Sequence, residues 1–146
     1  MRVELLLCSE VARRQIGEGF ANIPYQASQD FEKALRAKVN FGLFYPRAVN
    51  EMRMLALAAE KAKSLDPVKV AAALEGMEFD VFSGGKGVMR KDDHQFFQPI
   101  YIASLGERTE KEPFDEEHTG WGWKQVAKID TPQTMLPTTC KMDRPN

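Results

Sequence analysis

The chain has 146 residues, 43% of them hydrophobic, which is the length of one domain with apolar material for one modest core and sets a disordered chain aside. Twenty basic against twenty-one acidic side chains leave a formal net charge of -1, so no broad field draws in nucleic acid or an anionic membrane. No apolar run approaches the roughly 20 residues that a membrane-spanning helix needs.

The opening MRVELLLCSE has the basic residue, leucines and cysteine of a secretion signal or a lipid-attachment site. Its apolar run is shorter than the roughly 7 to 15 residues such a signal requires, and Glu4 interrupts it, so Leu5 to Leu7 read as a short strand. Cys8 and Cys140 lie near opposite ends, and the sequence leaves their pairing, and with it the redox compartment, open. Phe20 to Tyr25 suit a second strand ended by Pro24, which removes a ladder donor. Ser28 then reads as an N-cap, and Asp30 to Lys38 as a surface helix with Phe31, Ala34 and Leu35 on one face.

FYPRAVNEMRMLALAAEKAKSLDP carries the strongest helical pattern. Pro46 suits the first turn, Val49, Met52, Leu55 and Ala59 form one apolar stripe expected to be buried, and Lys61 and Lys63 suit the C-terminal end. Asp66-Pro67 starts a second helix with Val70, Ala71 and Leu74 inward and Gly76 as the stop. The period then changes. Phe79 and Val81, then Val88 and Met89, alternate as strands do around the turn SGGKG, and Phe97 to Leu105 follows as a strand with Pro99 at an edge or bulge. Gly106 to Thr119 is a charged loop, Trp123 to Ile129 a last strand, and the tail from Thr131 an extended run. The order is mixed α/β without an internal repeat.

Several constellations invite chemistry. Asp92, Asp93 and His94 are consecutive, and neighbours on an extended chain point to opposite faces, so a hairpin turn is favoured over a metal site. His118, behind Glu116 and Glu117, would supply a second imidazole, but neither histidine has the helical spacing of a paired ligand. SGGKG lacks the spacing, the following Ser or Thr, and the helix of a phosphate loop. No G-x-S-x-G elbow or cysteine signature is present. Trp121 and Trp123 flank Gly122 and could stack a ring or cover a sheet edge. No cofactor is expected.

Taken together, the helices RAVNEMRMLALAAEKAKSLDPVKVAAALEGMEFD, the hairpin GGKGVMRKDDHQ, the strand QPIYIA, and TGWGWK with PTTCKMDRP resemble the C-terminal part of the branched-chain amino acid binding proteins. These are the periplasmic solute receptors of ABC importers, and the resemblance covers most of residues 20–146. It implies an incomplete α/β type I periplasmic-binding fold, with parallel-sheet elements of two lobes. Residues 1–24 would be a second-lobe element, 25–98 first-lobe elements, and 99–146 the return to the second lobe with the tail, crossing at Ile23 to Tyr25 and at Gln98 to Tyr101.

The resemblance further implies a non-enzymatic clamshell that closes on a branched-chain amino acid or a related small amide or acid. It implies a membrane permease as partner and no nucleic acid. Much of the ligand shell would lie outside this chain. The family's aromatic residue at the start of the long helix is replaced by Val49, with Phe44, Tyr45 and Arg47 close by. Tyr25 and Tyr45 are the ligand-binding candidates, against packing of the lobe or hinge as the alternative. A periplasmic location would belong to the full-length parent, and the lack of a secretion signal in MRVELLLCSE leads us to expect a truncated frame or fragment. Uncovered sheet edges would make it self-associate or only marginally stable. The competing reading is a small metal-dependent hydrolase using Asp92, Asp93, His94, Glu117 and His118, which requires the hairpin turn and the charged loop to share one pocket.

Overall fold

A computed structural model describes residues 14–17, 19–43 and 46–144. In chain order the elements are β1 (Arg14–Gly17), α1 (Gln26–Val39), α2 (Pro46–Ala62), α3 (Pro67–Leu74), β2 (Glu78–Asp80), β3 (Lys86–Met89), β4 (Phe96–Phe97), β5 (Ile100–Glu107), β6 (Trp121–Ile129) and α4 (Thr131–Thr134), a single helical turn. The chain gathers into two compact units and passes between them at 44/45, 99/100 and 128/129. The division at 99/100 falls within Gln98 to Tyr101, whereas Ile23 to Tyr25 lies inside the first unit. Leu5 to Leu7, Cys8, Phe44 and Tyr45 lie outside the described residues.

In the first unit, β5 is the central strand of the order β1-β5-β6, and β1 runs antiparallel to it with Arg14 opposite Ser104 and Gly17 opposite Tyr101. Tyr101 and Ala103 are buried, as the two-residue period of a strand requires for one inward face. The Phe20 ring meets Tyr101 edge-on at 6.1 Å. Phe20 to Tyr25 is not the expected strand. It is a turn in which the Ile23 N–H donates to the Phe20 carbonyl at 3.2 Å and the Tyr25 N–H to the Ile23 carbonyl at 2.7 Å. Pro24 has no N–H for a ladder, and the Asn22 side chain is committed elsewhere, so local bonds replace strand pairing.

Helix α1 is longer than expected. It starts at Gln26 with Tyr25 in the cap position and ends at Asn40, whose left-handed φ of 54° returns its N–H to the Arg36 carbonyl. Ser28 is therefore a buried first-turn residue rather than the N-cap. The buried face is polar, formed by Ser28 and Glu32, and Phe31 is 40% exposed.

In the second unit, α2 begins at Pro46 as the sequence predicts, but the expected stripe is rotated off the core. Asn50 and Ala58 are buried with Met54 and Ala62 partly so, whereas Met52 is 70% and Leu55 47% exposed. The reason is steric: Ala58 and Ala62 let α3 come close, so small side chains at four-residue spacing take the contact. Lys61 Nζ then reaches the Ala73 carbonyl at 2.8 Å, satisfying an acceptor at the open end of α3. The start of α3 is as read: the Asp66 carboxylate accepts from the Lys69 N–H at 3.0 Å, with Pro67 at the first helical position.

Ala58, Ala73, Met77 and Met89 form the core of this unit. β2 and β3 pair antiparallel, Glu78 opposite Val88, and β3 pairs antiparallel with β4, Val88 opposite Phe97. The short turns between them permit no other arrangement, because a parallel pair needs a long crossover. The resemblance implies parallel sheets for the lobes, whereas every pairing whose register is described is antiparallel. Gly84 and Gly85, at φ 88° and 111°, make the first turn. At Gly87 an added Cβ would overlap Val81 and the Phe96 ring, so the hairpin closes only on glycine.

The predicted strand Phe97 to Leu105 is two strands. Gln98 and Pro99 part β4 from β5, and Pro99 is among the most completely buried residues. Gly106 to Thr119 is mostly irregular, with β5 running on to Glu107. The tail is not extended at its start: Thr131–Thr134 turns helically, and the Asp130 N–H donates to Gln133 Oε1 at 3.2 Å.

Candidate functional site

Tyr25 sits in the cap position of α1 with an extended backbone and is 37% exposed. Three residues before it, Asn22 is buried. Its amide donates to the Phe114 carbonyl at 2.7 Å and the Trp123 carbonyl at 3.0 Å and accepts from the Phe114 N–H at 2.9 Å. Gln29 Nε2 adds a bond to the Ile23 carbonyl at 3.0 Å. Gly122, between the two tryptophans, is buried, and a Cβ there would overlap the Phe114 carbonyl. The Trp-Gly-Trp pattern thus serves the close approach of the charged loop to β6. Sequence reasoning missed Asn22 in this role; the glycine between two large rings was the available signal.

Further along α1, Glu32 is buried, accepting from Arg36 Nε at 2.6 Å and from the Leu43 N–H at 3.1 Å. Arg36 Nη2 donates to the Asp115 carbonyl at 2.8 Å, and its guanidinium lies 5.4 Å from the Phe114 ring centre. Asp115 Oδ2 accepts the Gly120 N–H at 2.9 Å; that bond, with Arg108 and Arg36 nearby, holds the carboxyl below its ordinary range. A shallow depression beside this cluster is lined in part by Glu32, Arg36, Leu43 and Glu116. Burial pushes the Glu116 carboxyl up, opposed by Arg36 and reinforced by Glu32, Asp115 and Glu117. The cluster holds the charged loop against α1.

In the second unit, Asp93 receives Arg90 at 2.9 Å and 2.5 Å and the Gln95 N–H at 3.0 Å, and Arg90 stacks 4.7 Å over Phe97. The Arg90 bond holds the Asp93 carboxyl well below its ordinary range, with a Thr138 hydrogen bond and the Gln95 N–H adding to it. His94, at φ 53°, closes the turn, its N–H bonded to the Arg90 carbonyl at 3.0 Å. Its Nε2 lies 3.4 Å from Glu75, which Arg144 also meets at 2.5 Å. His118 Nε2 lies 3.0 Å from the Asn40 carbonyl.

The residues of the hydrolase reading are thus tied into turns. Among the described residues no group of three His, Cys, Asp or Glu side chains could hold a metal ion. Lys86 of SGGKG pairs with Asp80 at 2.8 Å across its own hairpin. Cys140 is exposed, and Tyr45, the other ligand-binding candidate, lies outside the described residues, so only Tyr25 can be placed. Among the described residues no helix is long and apolar enough to cross a membrane.

A family model described as "Periplasmic binding protein" matches residues 15–110. Among solved structures, a leucine-, isoleucine-, valine-, threonine- and alanine-binding protein from Brucella ovis, in a closed conformation, superposes with TM-score 0.76 and 18% identity over 90% of this chain and 35% of its own. An ABC-type branched-chain amino acid transporter from Rhodopseudomonas palustris gives 0.69 and 25% identity over 88% and 33%. A solute binding protein of an ABC transporter from the same species, in complex with 3,4-dihydroxybenzoic acid, gives 0.65 and 17% identity over 81% and 31%. The chain therefore spans about a third of the length of the structures it matches. No curated protein matches.

Proposed function

The chain belongs to the periplasmic binding protein family, and we propose on that premise that it supplies part of the solute-binding component of an ABC importer. The observation that carries this reading is the match over residues 15–110, which runs from β1 through α1, α2, α3 and both turns of the second unit into the charged loop. Its fold is an incomplete type I periplasmic-binding fold. The parent acts in the periplasm, delivers its ligand to a membrane permease, and does no covalent chemistry. Branched-chain amino acids are the ligand class supported by the names of two neighbours, with small acids as the next class.

Such a receptor works by differential affinity: a solute held better by the closed arrangement shifts the population toward it. Tyr25, partly exposed at the cap position of α1, is the contact we assign to the ligand side, with Tyr45 as the second. We place the crossings between lobes at the unit divisions 44/45, 99/100 and 128/129. A thermal-shift panel of leucine, isoleucine, valine, their amides and dihydroxybenzoate on the full-length parent tests the reading. A ligand at a hundredfold excess over its Kd stabilises the folded state by about 2.7 kcal/mol, so at least one member should raise Tm. A flat panel, or zinc that stays with the purified protein and is lost in His94→Ala, overturns it.

A further inference from the structure

After α4 the chain runs on within the second unit as a tail without helix or strand, residues 135–144, and polar contacts hold it at three points. Arg90 Nη1 donates to the Leu136 carbonyl at 2.5 Å, the Thr138 hydroxyl bonds Asp93, and Arg144 reaches two acceptors at once. Its Nε donates to Glu75 Oε1 at 2.5 Å and its Nη2 to the Lys91 carbonyl at 2.6 Å, so one planar guanidinium bridges the end of α3 and the turn 90–94. None of the side chains of 135–144 is buried, and Leu136 is 72% exposed. The two acceptors are positioned without the tail. Glu75 caps α3, its N–H bonded to the Ala72 carbonyl at 3.3 Å, and the next residue, Gly76, donates to the Met89 carbonyl at 3.0 Å. The turn is closed by the Arg90 N–H on the Gln95 carbonyl at 2.9 Å as well as by His94. Were the tail to lift, Glu75 would keep His94 at 3.4 Å and Lys91 at 4.0 Å, and Asp93 would keep Arg90 and the Gln95 N–H, so no charge would be stranded. The Arg144 bond is the main cause that holds the Glu75 carboxyl below its ordinary range, with burial opposing and His94 and Lys91 adding to it.

We propose that the Glu75 carboxylate and the Lys91 carbonyl form a seat for a guanidinium group, and that Arg144 occupies it as a releasable latch on the tail. A guanidinium fits the seat and an ammonium does not, because only a rigid fork donates at once to acceptors on two separate segments. The latch is releasable because the Arg144 side chain is 44% exposed: ion pairs so open to water are weak and screened by salt, and no buried tail side chain resists. The seat and its occupant both lie within the second unit, so the proposal stands apart from the solute-receptor reading.

The test uses the full chain with Cys8→Ser, so that a nitroxide label attaches at the exposed Cys140 alone, and spin resonance reads the mobile fraction of the tail. That fraction is expected to rise roughly two- to fivefold in Arg144→Gln, and as much in Glu75→Gln and in Arg144→Lys, which keeps the charge but not the fork. Salt at about 1 M should raise it where Arg144 is present. Hydrogen exchange at the Gly76 and Met89 amides, bonded to the Met89 and Met77 carbonyls, should stay as slow in every variant. An unaltered mobile fraction in Arg144→Gln, or no response to salt, overturns the latch. A lysine that anchors the tail as well as arginine overturns the guanidinium seat. Faster exchange of the two amides in Arg144→Gln also overturns the proposal, because the tail would then be part of what keeps the unit folded.

Discussion

Asn22 makes three hydrogen bonds from one buried amide, and no other residue type of its size could donate twice and accept once at those backbone positions. Asn22→Ala is expected to destabilise by roughly 2 to 3 kcal/mol, since it leaves buried backbone groups of Phe114 and Trp123 unsatisfied, and denaturant titration would read this as a lowered midpoint at constant slope. Two carboxyl groups set opposite pH dependences. Asp93 is held below its ordinary range by Arg90, so the stability it contributes is present above about pH 4 and is lost as pH falls toward its folded value. Asp93→Asn should therefore flatten the acid limb of a stability profile. Glu116 is pushed up by burial, so its contribution is present at low pH and lost as pH rises through the raised value. Glu116→Gln is expected to stabilise at neutral pH, where a midpoint lower than that of the unsubstituted protein would contradict the assignment.

The helices show which parts of a sequence pattern decide packing. Val49, Met52, Leu55 and Ala59 are the most apolar stripe of α2, yet the face that packs is Asn50, Met54, Ala58 and Ala62, because close approach of α3 selects small side chains over greasy ones. Ala58 is 0% and Leu55 47% exposed. Ala58→Leu should overpack the α2–α3 contact at a cost of about 1 to 3 kcal/mol, whereas Leu55→Ala should cost less than about 1; the reverse order in thermal denaturation would refute the rotated stripe. Local signals were legible where the physics is local: the Asp66-Pro67 start, the glycine turn at Gly84 and Gly85, and the turn ending at His94 all fold as read. The polar face of α1 was not legible, because the buried Glu32 is held by Arg36, which in turn reaches Asp115 in a distant loop, and by the Leu43 N–H. Nor was the break at Gln98 and Pro99, where the chain leaves one sheet for the other.

At the scale of the molecule, order and spacing across many elements carried the fold, and no single motif did. The cluster Asp92, Asp93 and His94 looks like chemistry in one dimension; in three, Arg90 and Glu75 occupy two of its members and the turn itself explains the third. A partly exposed tyrosine such as Tyr25 has no local signature that separates binding from packing. The most direct measurement is calorimetric titration of the purified full-length parent with L-leucine, repeated with isoleucine and valine as competitors. The account predicts a saturable heat that either competitor displaces, with a negative heat-capacity change from burying the apolar side chain. The absence of any saturable heat with all three amino acids would contradict it.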